Sequence, residues 1–168
     1  MNDTYLDILQ FYHKEADMLD SWRELEWLGL LAPNFRYCVP IRSMKLRSGG
    51  WDGQYSSEGY HIDETLPSIE VRVRRLGSGI AYAADPPPRS RHFISNLRIS
   101  PLEGENRYLA KTNVLLIRGE ADVVETNFLS AERQDILLRD EGTGWKIEER
   151  VVYLDHTILP ANNLALFF

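Results

Sequence analysis

Apolar side chains in the first twenty positions recur at spacings of three and four. Tyr5, Leu6, Ile8, Leu9, Tyr12, Ala16 and Leu19 predict an amphipathic helix, with Asp3 or Thr4 able to cap the free N–H groups at its start. A second, shorter helix is expected from Ser21, its stripe made by Leu25, Trp27, Leu28 and Leu31, and Pro33-Asn34 ends it. The period then drops to two: Phe35, Tyr37, Val39 and Ile41 share one face of a strand. From Arg42 to Tyr60 the chain is rich in Gly and Ser without a sustained period, which predicts a long surface loop or irregular hairpin.

The next stretch fits two periods. Ile69, Val71 and Val73 alternate, whereas Leu66, Ile69, Val73 and Leu76 sit at helical intervals. Asp63 as a cap before the run, Gly77 after it and Pro67 in a first turn favour a helix. Beyond the Asp85-Pro86-Pro87-Pro88 break, extended segments alternate with turn chemistry: Arg91–Pro101, Tyr108–Val123, Phe128–Arg139 and Trp145–Ile158. Helices gathered early and an antiparallel meander late predict an α+β fold, with one sheet curling over the helices.

Composition narrows the possibilities. At 168 residues, 43% of them hydrophobic, the chain is expected to form one domain spanning 1–168, large enough to fold without disulfides or metal. The net charge of −6 removes the basic field that phosphate backbones require, so nucleic acid is not an expected partner. No apolar run approaches the ~20 residues of a membrane span, and MNDTYLDILQ carries acids where a signal peptide would be positive. With Cys38 as the single cysteine, a cytoplasmic location is expected. Lysine occurs only at positions 14, 45, 111 and 146, so most basic residues are arginines, suited to buried or interfacial ion pairs. That bias fits an oligomer, and equally the codon usage of a GC-rich source.

Candidate chemistry is sparse. There is no Gly-rich phosphate loop, G-x-S-x-G elbow, H-E-x-x-H or C-x-x-C. His13, His61, His92 and His156 with Asp63, Asp85 or Asp155 could supply an iron triad on paper, but Asp155 and His156 are adjacent on an expected strand and point to opposite faces. His92 and Asp135 could act as an acid–base pair inside a cone, or His92 could be a buried histidine that fixes strand packing. The segment from Tyr82 to His92, with its three prolines and with Arg89 and Arg91, could be a subunit-contact loop or an internal strap.

In this order the motifs resemble the small (β) subunit of bacterial aromatic-ring-hydroxylating dioxygenases. The resemblance runs through Tyr12-x-x-Glu15-Ala16-x-x-Leu19-Asp20, Trp27-Leu28-x-Leu30, Tyr37-x-x-Pro40-x-Arg42 and Arg72-Val73-x-Arg75-Leu76. It continues through Asp85-Pro86-x-x-Arg89-x-Arg91-His92-x-x-x-Asn96, Arg133-x-Asp135-x-Leu137-x-Arg139, Gly144-Trp145-Lys146-Ile147-x-x-Arg150-x-Val152-x-Leu154-Asp155 and Asn162-Asn163-Leu164 to Phe167-Phe168. Ala84 stands where the family commonly has glutamate, and Pro88 where serine is usual.

The resemblance implies a cystatin-like or NTF2-like cone and a non-catalytic subunit. The Rieske 2Fe-2S centre and the mononuclear iron would belong to a partner α subunit, with this chain trimerising inside an α3β3 hexamer. It would contain no cofactor, metal site or catalytic residue of its own. Arg72, Arg75, Asp85, Arg89, Arg91, His92, Asn96, Arg133, Asp135, Arg150 and Asp155 become candidates for subunit contact or for structural roles. The alternative is a stand-alone dehydratase or isomerase working through His92 and Asp135.

Overall fold

The computed structural model of the chain describes residues 2–43, 48, 54–77, 88–104, 106–119, 126–157 and 167–168. Its first helix, α1, spans Asn2–Asp20. The buried face is Ile8, Phe11, Tyr12, Glu15, Met18 and Leu19, a stripe at steps of three, one, three, three and one. The expected stripe is therefore rotated: Tyr5 and Leu6 are exposed, and a glutamate takes a central buried position that an apolar count passes over.

The second helix is shorter than expected. α2 covers Glu24–Trp27, and a 3-10 turn at Leu28–Leu30 leads straight into β1, Leu31–Arg42. Pro33 and Asn34 do not end a helix; they are exposed within the strand, where the pairing of β1 with its neighbour is irregular between Leu31 and Arg36. An interruption of the ladder is where a proline, which lacks an N–H, costs least.

β2, Tyr55–Thr65, begins inside the stretch expected as a long surface loop or irregular hairpin and takes its positions 55–60. It pairs antiparallel with β1, with register shifts on both sides of Pro40. As an edge strand with little burial and a bulged partner it has no clean period of two, which is why its sequence reads as irregular. α3, Leu66–Gly77, is a helix as the intervals of Leu66, Ile69, Val73 and Leu76 predict, with Ile69 and Val73 in the core. Its start is held by Ser68, whose Oγ accepts from the Thr65 N–H at 3.2 Å, while Asp63 belongs to β2 and is no cap.

Four long strands follow: β3 Arg89–Pro101, β4 Arg107–Gly119, β5 Thr126–Asp140 and β6 Gly144–Leu154. Together the strands form one sheet in the order β2-β1-β6-β5-β4-β3, antiparallel except for the β1–β6 pair. β6 stops at Leu154 rather than Ile158, and the stretch of the expected Tyr108–Val123 strand after Gly119 lies outside the described residues. Asn96 bulges out of β3 with φ of +55° between the shifted registers of Ser95 and Arg98, a conformation asparagine tolerates.

α1 packs on β3 and α3 on β1 and β2, so the helices occupy one face of the sheet, which curls around them. Among the described residues, no element packs on the opposite, outer face. No described helix is long and apolar enough to cross a membrane.

Candidate functional site

The interior of the curl holds charge where a hydrophobic core is ordinary. On β5 the inward positions run Ala131, Arg133, Asp135, Leu137; on β6 they run Arg150, Val152, Leu154. Asp135 and Arg150 are register partners, so strand pairing alone places their side chains together. Arg150 Nε and Nη2 donate to the two Asp135 oxygens at 2.9 and 2.8 Å, a forked pair.

From α1, Glu15 closes the cluster. Its Oε1 lies 2.8 Å from Arg150 Nη1, and its Oε2 accepts from Arg150 Nη2 at 3.0 Å and from Arg133 Nη1 at 3.2 Å. Trp27 Nε1 donates to Glu15 at 3.0 Å, and the Tyr12 hydroxyl donates to Asp135 at 2.9 Å. The Arg133 guanidinium stacks 4.5 Å from the centre of the Tyr12 ring and donates to Thr112 Oγ1 at 3.2 Å. Two arginines balance two carboxylates, with no side chain of the four more than 1% exposed.

These neighbours set the protonation states. Burial alone would raise the Glu15 carboxyl, but Arg150 and Arg133 outweigh it and hold the group at about 2. Burial and the Asp135 charge push the Tyr12 phenol well above its ordinary value, and burial takes the Tyr37 phenol up to about 12. Arg150 is held protonated because Asp135 and Glu15 overcome its desolvation. Glu15 is thus ionised, the oxygens of both carboxylates are engaged, and the Tyr12 phenol keeps its proton. A group that neither releases nor accepts a proton cannot serve as a general acid or base. What the cluster does is tie α1 to β5 and β6.

The last described residues pack against it. Arg150 Nη1 donates to the Phe168 carbonyl at 2.6 Å, and the Phe168 N–H donates to Tyr37 Oη at 3.3 Å. The Phe167 ring lies 4.5 Å from Trp27, with the Arg72 guanidinium 4.3 Å over it. His92 completes the closure: Nδ1 meets Asp20 Oδ1 at 2.6 Å and Nε2 meets the Phe167 carbonyl at 2.8 Å. His92 therefore fastens α1, β3 and Phe167 to one another.

This geometry does not bring His92 and Asp135 together as an acid–base pair, because Asp20 and Phe167 take the one and Arg150 and Tyr12 take the other. Arg133 and Arg150 spend their charge inside the chain. Arg72 does so as well, 3.2 Å from Glu64. Arg75, Arg89, Arg91 and Asn96 are exposed, with Arg91 3.4 Å from Asp20. Asp155 accepts from Ser130 Oγ at 2.8 Å, and His156 Nε2 accepts from the Ser130 N–H at 3.4 Å. Both can reach Ser130 because the strand has ended at Leu154, so the opposite-face expectation for this pair does not hold. Asp85 and most of the proline strap lie outside the described residues, but Pro88 offers its carbonyl to Trp22 Nε1 at 3.1 Å. Among the described residues, no three His, Cys, Asp or Glu side chains are arranged to hold a metal ion. The Cys38 thiol is pushed up to about 11, chiefly by burial.

Sequence reasoning passed over Glu15, Tyr12 and Asp20 as site residues. The available signal was a glutamate on the apolar side of α1, four residues before Leu19, in a chain rich in arginine.

The outer face carries a second feature. Arg36, Cys38, Pro40, Tyr55, Tyr60 and Tyr153 are among the residues lining a hollow of about 290 Å³ over β2, β1 and β6. Arg36 is held there by a forked bond to Asp63 at 3.1 and 3.2 Å.

Comparison with known proteins sets these features in context. Residues 14–161 match the family model described as ring hydroxylating beta subunit. The beta subunit of benzene 1,2-dioxygenase from Pseudomonas putida is 31% identical over 164 residues, covering 96% of this chain and 87% of that protein. Among solved structures, naphthalene 1,2-dioxygenase with indole bound superposes with a TM-score of 0.83 at 23% identity, over 95% of this chain and 83% of that one. The beta subunit of benzoate 1,2-dioxygenase from Burkholderia mallei gives 0.72 at 18% identity, over 96% of each chain. The structural likenesses show a shared fold, and the family model together with the benzene dioxygenase relative shows descent: this chain belongs to the family of ring-hydroxylating dioxygenase beta subunits.

Proposed function

We propose that this chain is the non-catalytic β subunit of a cytoplasmic ring-hydroxylating dioxygenase, folded as one unit over 1–168. Its work is geometric: it holds iron-bearing α subunits in register as part of an α3β3 assembly, so that they can cis-dihydroxylate an aromatic compound. The iron centres and the oxygen chemistry belong to the α subunit. The observation that supports this reading is the buried ion cluster among the described residues of the interior. Where a cone enzyme would need a mobile proton, this chain has buried ion pairs of Glu15, Arg133, Asp135 and Arg150, packed against Phe167 and Phe168. Arg75, Arg89 and Arg91 lie exposed at the surface, where an α subunit could meet them, while Arg133 and Arg150 serve the fold.

The test is co-expression with a Rieske-type α subunit, followed by mass measurement and assay of ring hydroxylation. A stable complex of equal stoichiometry, active only when α is present, is the expected result. Turnover by this chain alone, or failure to bind any such α subunit, would remove the proposal.

A further inference from the structure

Phe167 and Phe168 are held differently from the elements around them. Neither belongs to a helix or a strand, yet they are 4% and 0% exposed. Buried backbone groups mostly pair with other backbone groups, but here side chains from three strands take that place. His92 of β3 meets the Phe167 carbonyl at 2.8 Å, Tyr37 of β1 accepts from the Phe168 N–H at 3.3 Å, and Arg150 of β6 donates to the Phe168 carbonyl at 2.6 Å. The Phe167 ring is read as well. Trp27 of α2 lies 4.5 Å from its centre, and the Arg72 guanidinium of α3 sits 4.3 Å over it. Side chains from separate elements that converge on a short backbone and its ring are the means by which a bound peptide is recognised.

The receiving side is built without the pair. Each of four recognising side chains is braced by a carboxylate on another element. Asp135 and Glu15 hold Arg150, Asp20 takes His92 Nδ1 at 2.6 Å, Glu15 accepts from Trp27 Nε1 at 3.0 Å, and Glu64 lies 3.2 Å from Arg72. None of these bonds runs through Phe167 or Phe168. Groups already fixed when a ligand arrives spare it the cost of ordering them.

We propose that the interior of the curl contains a peptide-recognition site for two consecutive aromatic residues, and that Phe167-Phe168 fills it as a tethered ligand that a separate peptide of the same chemistry can replace. Trp27 and Arg72 select the first ring. His92, Tyr37 and Arg150 fix the direction of the backbone through its two carbonyls and the intervening N–H. A ring without a peptide satisfies only the first set, and a peptide without rings only the second. Every group involved lies in this chain, so the proposal does not rest on the β-subunit reading.

The probe is acetyl-Lys-Lys-Phe-Phe-amide, in which the lysines serve solubility; acetyl-Lys-Lys-Ala-Ala-amide is its control. In the full-length chain, Phe167→Ala with Phe168→Ala removes the competing rings and keeps the tether, and far-UV circular dichroism checks that the variant is folded. Calorimetric titration should give one-to-one binding of the Phe-Phe peptide to this variant with a Kd of about 0.1 mM or tighter. A tethered pair at an effective concentration on the order of 1 mM then makes binding to the unmodified chain about 10-fold weaker. Adding Tyr37→Phe to the variant removes the acceptor for one N–H and should weaken the peptide about fivefold. The Ala-Ala peptide should not bind. In the unmodified chain the Phe168 amide should exchange its hydrogen through a local opening, with protection at least about 10-fold below the amides of β6. This last measurement needs no variant and decides alone if the double variant does not fold. Absence of Phe-Phe binding by the folded variant, equal binding of the Ala-Ala peptide, equal affinity in the unmodified chain, no effect of Tyr37→Phe, or a Phe168 amide protected as strongly as those of β6 would make the pair an ordinary part of the core and overturn the proposal.

Discussion

The two faces of one sheet divide its charged residues into opposite kinds. On the inner face Glu15, Arg133, Asp135 and Arg150 are removed from water, each held by several directed bonds, and in balance. On the outer face Arg36 with Asp63 and Arg98 with Glu132 are pairs that water still reaches. The Coulomb energy of two charges at one separation is several-fold larger in the interior than at the surface, and so is the cost of leaving one unpaired. Identical residue types therefore hold the fold together on one side and stay available to partners on the other.

Breaking the inner face should have the largest effect. Arg150→Ala removes the cation shared by Glu15 and Asp135 and leaves both carboxylates buried. A loss of about 3–5 kcal/mol is expected, read as a lower urea midpoint, or as failure to fold where total stability is only ~5–15 kcal/mol. A loss below ~1 kcal/mol would show that the cluster contributes little.

Acid sharpens the same contrast. Glu15 is held at about 2 in the folded chain against 4.5 for a free glutamate. A group depressed by folding stabilises above its unfolded value, and that contribution is lost as pH falls through the folded value. Stability should therefore drop between about pH 4.5 and pH 2, by about 3 kcal/mol from this residue at the full shift. Glu15→Gln should be less stable at pH 7 and should flatten the decline, as followed by urea unfolding across that range. An equally steep decline in the variant would place the acid sensitivity elsewhere.

The smallest effect on the fold belongs to the surface. Arg89→Ala should leave the unfolding free energy within about 0.5 kcal/mol while weakening assembly with the α subunit. Unchanged affinity for α would remove Arg89 from the contact.

How much of this was legible beforehand depends on how local each feature is. The meander of β3 to β6 follows from alternation and turn residues, and α3 from intervals of three and four, because neighbours along the chain set both. β2 was hidden: on a bulged edge strand few side chains are buried, so the alternation that reveals a strand is missing. The rotated face of α1 was hidden for the opposite reason. Glu15 is buried only because Arg133 and Arg150, more than a hundred residues later, arrive to neutralise it.

By itself, then, the order of residues determined the class of fold and the run of motifs that marks the family. Tertiary structure alone decided which arginines turn inward, that His92 closes on Asp20 and not on Asp135, and that Tyr55, Tyr60 and Tyr153 wall one hollow. Periodicity is a property of near neighbours and can be read along a line. Which distant charges meet depends on strand register and the curl of the sheet, and these exist only once the chain has folded.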